Sequence, residues 1–148
     1  MDDAMIAPAR AVIPRVILAV YGTLLAAIAF WPTPVDEGLR GLIAQLTRAL
    51  PALTYARLEF GANILLFVPL GVLLALILPR ARSLVAPLAL VIAVAVECVQ
   101  AVALAQRTPS VLDVVANTIG ASLGLIAVTV AGMLAARRTT AVPAKIED

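Results

Sequence analysis

Seven side chains have types and spacings suited to recognition or proton transfer: Glu59, Asn63, Glu97, Gln100, Arg107, Asp113 and Asn117. Glu59 and Asn63 stand at i, i+4, as do Asp113 and Asn117, while Glu97 and Gln100 stand at i, i+3. On helices, each pair shares one face. Carboxylates, carboxamides and a guanidinium together can accept and donate hydrogen bonds. Two carboxylates in different surroundings could also divide acid and base roles. Arg57 and Arg107 are the cations near enough in sequence to neutralise the acids. The chain has no His and a single Cys, Cys98, in the apolar run around Val96–Val99. That Cys is expected to be a small buried residue rather than a nucleophile, and no intrachain disulfide can form. No Ser–His or Cys–His pair and no His or Cys metal cage is available, so no cofactor or metal is expected.

The elements that must position these residues follow from composition. Of 148 residues, 63% are hydrophobic and 14% charged, with mean hydropathy +1.06. A soluble domain is about half apolar and about a quarter charged. So few charges could not cover so much apolar surface in water, and disordered chains are polar. The composition describes an integral membrane protein small enough for one bundle. A net charge of +2, scattered along the chain, gives no basis for nucleic-acid binding.

Four stretches approach the ~20 apolar residues that cross a bilayer core: about 16–31, 60–78, 84–105 and 111–136. Each must be a helix, because an unpaired strand cannot satisfy its backbone in lipid. Between the first two, Leu39, Leu42, Ile43, Leu46 and Leu50 follow helical spacing with Arg40, Gln45 and Arg48 on other faces. That pattern predicts a short amphipathic helix in the membrane interface. The expected fold is therefore an all-α four-transmembrane-helix bundle with an interfacial helix between helices 1 and 2. Residues 1–136 would form a single transmembrane domain and residues 137–148 a short cytoplasmic tail. The first span is read as retained rather than as a cleaved leader: its n-region is long and opens with Asp2 and Asp3.

Lys and Arg set the orientation. Arg10, Arg15, Arg80, Arg82, Arg137, Arg138 and Lys145 fall on one side, against Arg40, Arg48, Arg57 and Arg107 on the other. The first side should be cytoplasmic, with both termini inside and Trp31 and Tyr55 at the outer interface. All seven polar residues then lie in the outer half of the bilayer, on three different spans and one connection. The inner half is almost wholly Leu, Val, Ile and Ala. An ionisable residue within a span must face the bundle interior and find a partner. Glu97, the deepest acid, is expected to contact Arg107, Asp113 or Asn117 across spans three and four. Asn and Gln also serve as interhelical glue, which is the simpler role for Asn63 and Asn117. Gly120 and Gly124 form a GxxxG face that admits another helix closely and predicts a helix-mediated oligomer. Pro69, next to Leu70 and Gly71, predicts a packing kink in span two.

The run from Glu59 through Asn63, Phe67 and Pro69 to Gly71 resembles the second-helix motif of the VanZ-like family of bacterial membrane proteins. Glu97 and Gln100, followed by Arg107, Ser110, Asp113, Asn117 and Gly120, resemble that family's other signature. The likeness covers about residues 30–124. It implies a four-helix protein of the bacterial inner membrane and a context of glycopeptide resistance, notably to teicoplanin, without a settled reaction. Three readings compete. The cluster could bind the polar group of an envelope lipid, such as a cell-wall lipid precursor, or of a glycopeptide. It could lock the helices of a structural or regulatory subunit. Least favoured is an intramembrane enzyme with Glu97 or Asp113 as acid/base, since no nucleophile stands out.

Overall fold

A computed structural model describes residues 3–30, 38, 40–50, 52–104 and 109–140. Five helices follow in order: α1 (Asp3–Ala29), α2 (Arg40–Ala49), α3 (Tyr55–Ile77), α4 (Val85–Ala103) and α5 (Val111–Thr140), with a 3-10 turn at Arg82–Leu84 before α4. There is no strand among the described residues. Four of the helices are long and apolar enough to cross a membrane, over Val12–Ala29, Tyr55–Ile77, Arg82–Ala103 and Val111–Arg138. The short α2 occupies the stretch expected for the interfacial helix; its Leu42, and Leu50 just past its end, are exposed.

Local chemistry sets the helix ends. Thr54 is extended and its hydroxyl accepts from Arg57 N at 3.4 Å, so α3 starts at Tyr55, several residues before its apolar run. Ser110 does the same for α5, its Oγ accepting from Asp113 N at 3.3 Å. The Ser110–Asp113 spacing also puts an acid in the first turn, favourable to the helix dipole. Pro79 follows the end of α3 by two residues, where it can no longer interrupt an intrahelical bond. Besides α3, two helices run past the sequence-based limits: α1 begins at Asp3 and passes through Pro14, and α5 continues to Thr140 beyond the expected end at 136. Helix and membrane span need not coincide, because a helix can project from the bilayer once its backbone is satisfied internally.

Helix α3 packs against α5 along most of its length, while α5 also packs on α4 and α1 on α3. Glycine explains the first pair. A Cβ at Gly71 would lie 2.0 Å from the Ala121 carbonyl oxygen, one at Gly120 2.2 Å from that of Ile64, and one at Gly124 2.3 Å from that of Val68. Ile64 lies beside Gly120 and Val68 beside Gly124, so the two helices run parallel in matched register. The GxxxG face is thus occupied by α3 of the same chain, which corrects its expected use in an oligomer. Phe67, Leu70 and Leu74 of α3 pack with Leu25, Ala75, Val85 and Ala93 in the core. Outside lie exposed apolar side chains such as Val20, Leu65, Val91, Val102 and Ile126, a surface suited to lipid.

Candidate functional site

Along α4 the buried positions are Val85, Ala89, Ala93, Glu97 and Gln100, one continuous stripe at helical spacing. Its polar end replaces Ala with Glu and Gln without changing face. Helix α5 presents Ala116, Asn117, Gly120, Ala121 and Gly124 as its buried face, again with the polar residue toward the same end of the bundle. Glu97, Gln100 and Asn117 are 8%, 6% and 4% exposed, and are the buried polar residues among those described.

Each has a different environment. Glu97 Oε2 accepts the Ser110 backbone N–H at 2.8 Å. Ser110 caps α5, so the carboxylate sits where that helix presents unpaired donors and its positive dipole end. Glu97 therefore joins α4 to the start of α5, across the interface the sequence indicated, and the bond is to the backbone. Gln100 turns toward α1: its Nε2 donates to the Ala29 carbonyl at 2.7 Å. Ala29 is the last residue of α1, whose terminal carbonyls have no intrahelical donor. Gln100 supplies one, tying the first helix into the bundle. Asn117 is the most buried, and its Oδ1 has no hydrogen-bond partner among the described residues.

The remaining positions are less enclosed. Asp113 is half-buried one turn before Asn117, Asn63 is half-buried on α3, and Glu59 is exposed. Neither acid is isolated, since Glu59 and Asp113 each engage an interaction partner. The Arg57 guanidinium donates to the Ala52 carbonyl below the start of α3. Arg107 and Trp31, placed by sequence in the cluster and at the interface, lie outside the described residues, as does Lys145. Cys98 differs from expectation: it is exposed, one position from Glu97 and off the buried stripe, so it faces away from the bundle. Among the described residues, no three Asp, Glu or Cys side chains group as a metal cage.

Two features were not legible beforehand. The Tyr21 hydroxyl of α1 donates to the Leu66 carbonyl of α3. That carbonyl lies three residues before Pro69, where the missing N–H and the ring disturb the helix ladder. Helix α3 runs on through Pro69, which is exposed on its far side from the core. The chemical signal in hindsight is a lone Tyr in an otherwise aliphatic span, whose hydroxyl needs a partner in lipid. The second feature is the pairing of Arg15 with Arg80 at the opposite end of the bundle, described below.

Four membrane-length helices with a buried polar cluster near one end define a small polytopic membrane protein, held by helix–helix packing. A family model described as VanZ/LLP1 matches residues 16–132, and the chain belongs to this VanZ-like family. No curated protein and no solved structure matches it significantly.

Proposed function

We propose that the outer end of the bundle binds a hydrogen-bond donor on the headgroup of an envelope lipid or on a glycopeptide. The observation that supports this reading is the buried Oδ1 of Asn117, which has no hydrogen-bond partner among the described residues. A buried acceptor left unmade costs about 1–3 kcal/mol, and lipid offers no water to relieve it. An incoming amide N–H or sugar hydroxyl would remove that cost. Cell-wall lipid precursors and glycopeptides such as teicoplanin are dense in both groups. Glu97 and Asp113 nearby supply negative charge suited to the amines of such molecules. The locking reading also has support: Glu97 and Gln100 each bond a neighbouring helix or its cap.

The two readings separate at Asn117→Ala. Binding of a lipid-linked disaccharide-pentapeptide and of teicoplanin is measured on the full chain in lipid nanodiscs, beside thermal melting in detergent. A site predicts at least tenfold weaker binding with melting unchanged, because an unpaired polar atom is removed along with a small volume. Pure glue predicts a loss of about 1 kcal/mol in stability. Glu97→Gln is the companion: it keeps an acceptor for Ser110 N and removes the charge, so binding should fall while the fold persists. Binding by wild type absent for both ligands would sink the reading.

The reading also needs the polar end outside, in the inner membrane with cytoplasmic termini, which the Lys/Arg count supports. Pro109 is exposed beside the cluster. Pro109→Cys in a Cys98→Ala background should react with an impermeant maleimide in intact cells. Labelling only after permeabilisation would put the cluster in the wrong leaflet.

A further inference from the structure

At the end of the bundle remote from Glu97 and Asn117, a groove of about 380 Å³ opens between α1 and the α3–α4 connection. Pro14 and Arg15 form one wall and residues 76–81 the other, including Leu76, Leu78, Pro79 and Arg80. The geometry points to a binding site for the phosphate of an anionic phospholipid, held between Arg15 and Arg80.

Charge and shape both favour that ligand. Two guanidinium groups from separate elements line the groove, and no acid lines it among the described residues. Arginine suits phosphate because its planar donors can engage two oxygens together. The C-terminus of α3 carries a partial negative charge of about half a unit, which two full positive charges outweigh. A further guanidinium atom, Arg82 Nε in the 3-10 turn just beyond Ala81, is buried with no hydrogen-bond partner among the described residues. This end of the molecule therefore has surplus donors, whereas the opposite end has a surplus acceptor. Exposed Leu76 of α3 is part of the groove's apolar lining, and exposed Val12 stands three residues before Arg15 on α1. That surface suits an acyl chain and gives a free phosphate nothing to hold. Arg80 stands just past the end of α3, the level at which a headgroup of the same leaflet would lie.

Native mass spectrometry of the full chain, released from micelles of mixed phosphatidylglycerol and phosphatidylcholine, tests the site. Phosphatidylglycerol should be retained in preference to phosphatidylcholine. Arg15→Gln or Arg80→Gln should each cut that preference about fivefold, and the double variant about 25-fold. Arg138→Gln, an exposed arginine at the same end outside the groove, should leave it unchanged. Arg15→Lys, which keeps the charge and loses the planar donor pair, should fall between wild type and Arg15→Gln, a grading that an effect of the fold alone would not give. Equal retention of the two lipids, or an equal loss from Arg138→Gln, would overturn the assignment. Inorganic phosphate should not displace the lipid; full displacement would assign the groove to free phosphate and overturn the lipid reading.

Discussion

Two regions of α5, one turn apart, meet their neighbours in opposite ways. At Gly120 and Gly124 the helix lies with its backbone against that of α3, close enough that a Cβ at either glycine would strike a carbonyl oxygen. At Asn117 it is also buried, yet the Oδ1 acceptor finds no hydrogen-bond donor among the described residues. Lipid tails are as apolar as Leu, so no hydrophobic force drives helices together inside a bilayer. Close fit and hydrogen bonds must do so instead. The glycine stretch uses fit and leaves no room for a ligand. The polar end uses side-chain to backbone bonds at Ser110 and Ala29, which join the helices there. A seal and a site can therefore occupy the same helix face, provided that packing is completed on one side of the boundary.

The comparison breaks most visibly at Gly71. Gly71→Ala would put a methyl 2.0 Å from the Ala121 carbonyl oxygen, a backbone atom that cannot rotate away. The pair must separate, at a cost of about 3 kcal/mol, at the upper end for overpacking. Thermal melting in detergent should fall sharply, with much of the protein aggregated. Gly132→Ala, with nothing within 4 Å, should melt at or above wild type. Equal effects would mean that the α3–α5 contact is looser than the glycine stretch requires.

A smaller change is expected at the polar end. Gln100→Leu removes the donor to the Ala29 carbonyl and should cost about 1 kcal/mol. Faster hydrogen exchange at the end of α1, with α3 and α5 unchanged, is the distinguishing result. Uniform exchange changes would show that α1 is not held locally. The smallest effect belongs to Tyr21→Phe, which keeps the ring and loses the bond to the Leu66 carbonyl. It should cost about 0.6 kcal/mol, the average for such bonds in a membrane protein. The loss should shrink in a Pro69→Ala background, where the helix ladder is intact; an undiminished loss would uncouple Tyr21 from the proline.

Much of this molecule was legible from residue order. The apolar lengths marked the four crossing helices, and Leu and Arg spacing marked α2. The burial of Glu97 followed from the cost of an ionisable group in lipid, and Gln100, three residues on, shares its face. Their partners did not follow. The i, i+3 spacing put both on one face, and it could not say that Glu97 reaches α5 while Gln100 reaches α1. Such partners lie 13 and 71 residues away along the chain. Cys98 shows the converse: its apolar neighbours suggested burial, and a helix turn of about 100° from Glu97 carries it outward.

Sequence alone determined that the chain enters a membrane, which lengths cross it, and that its rare polar groups gather toward one end. These are one-dimensional properties, set by transfer free energies and helical rise. Tertiary structure decided that the GxxxG face serves α3 of the same chain. It also decided that Gln100 closes α1, that Asn117 Oδ1 is buried without a hydrogen-bond donor among the described residues, and that Arg15 and Arg80 line one groove. Each depends on which helix faces which. In a bilayer that choice rests on steric fit between surfaces of nearly equal apolarity, and composition does not encode it.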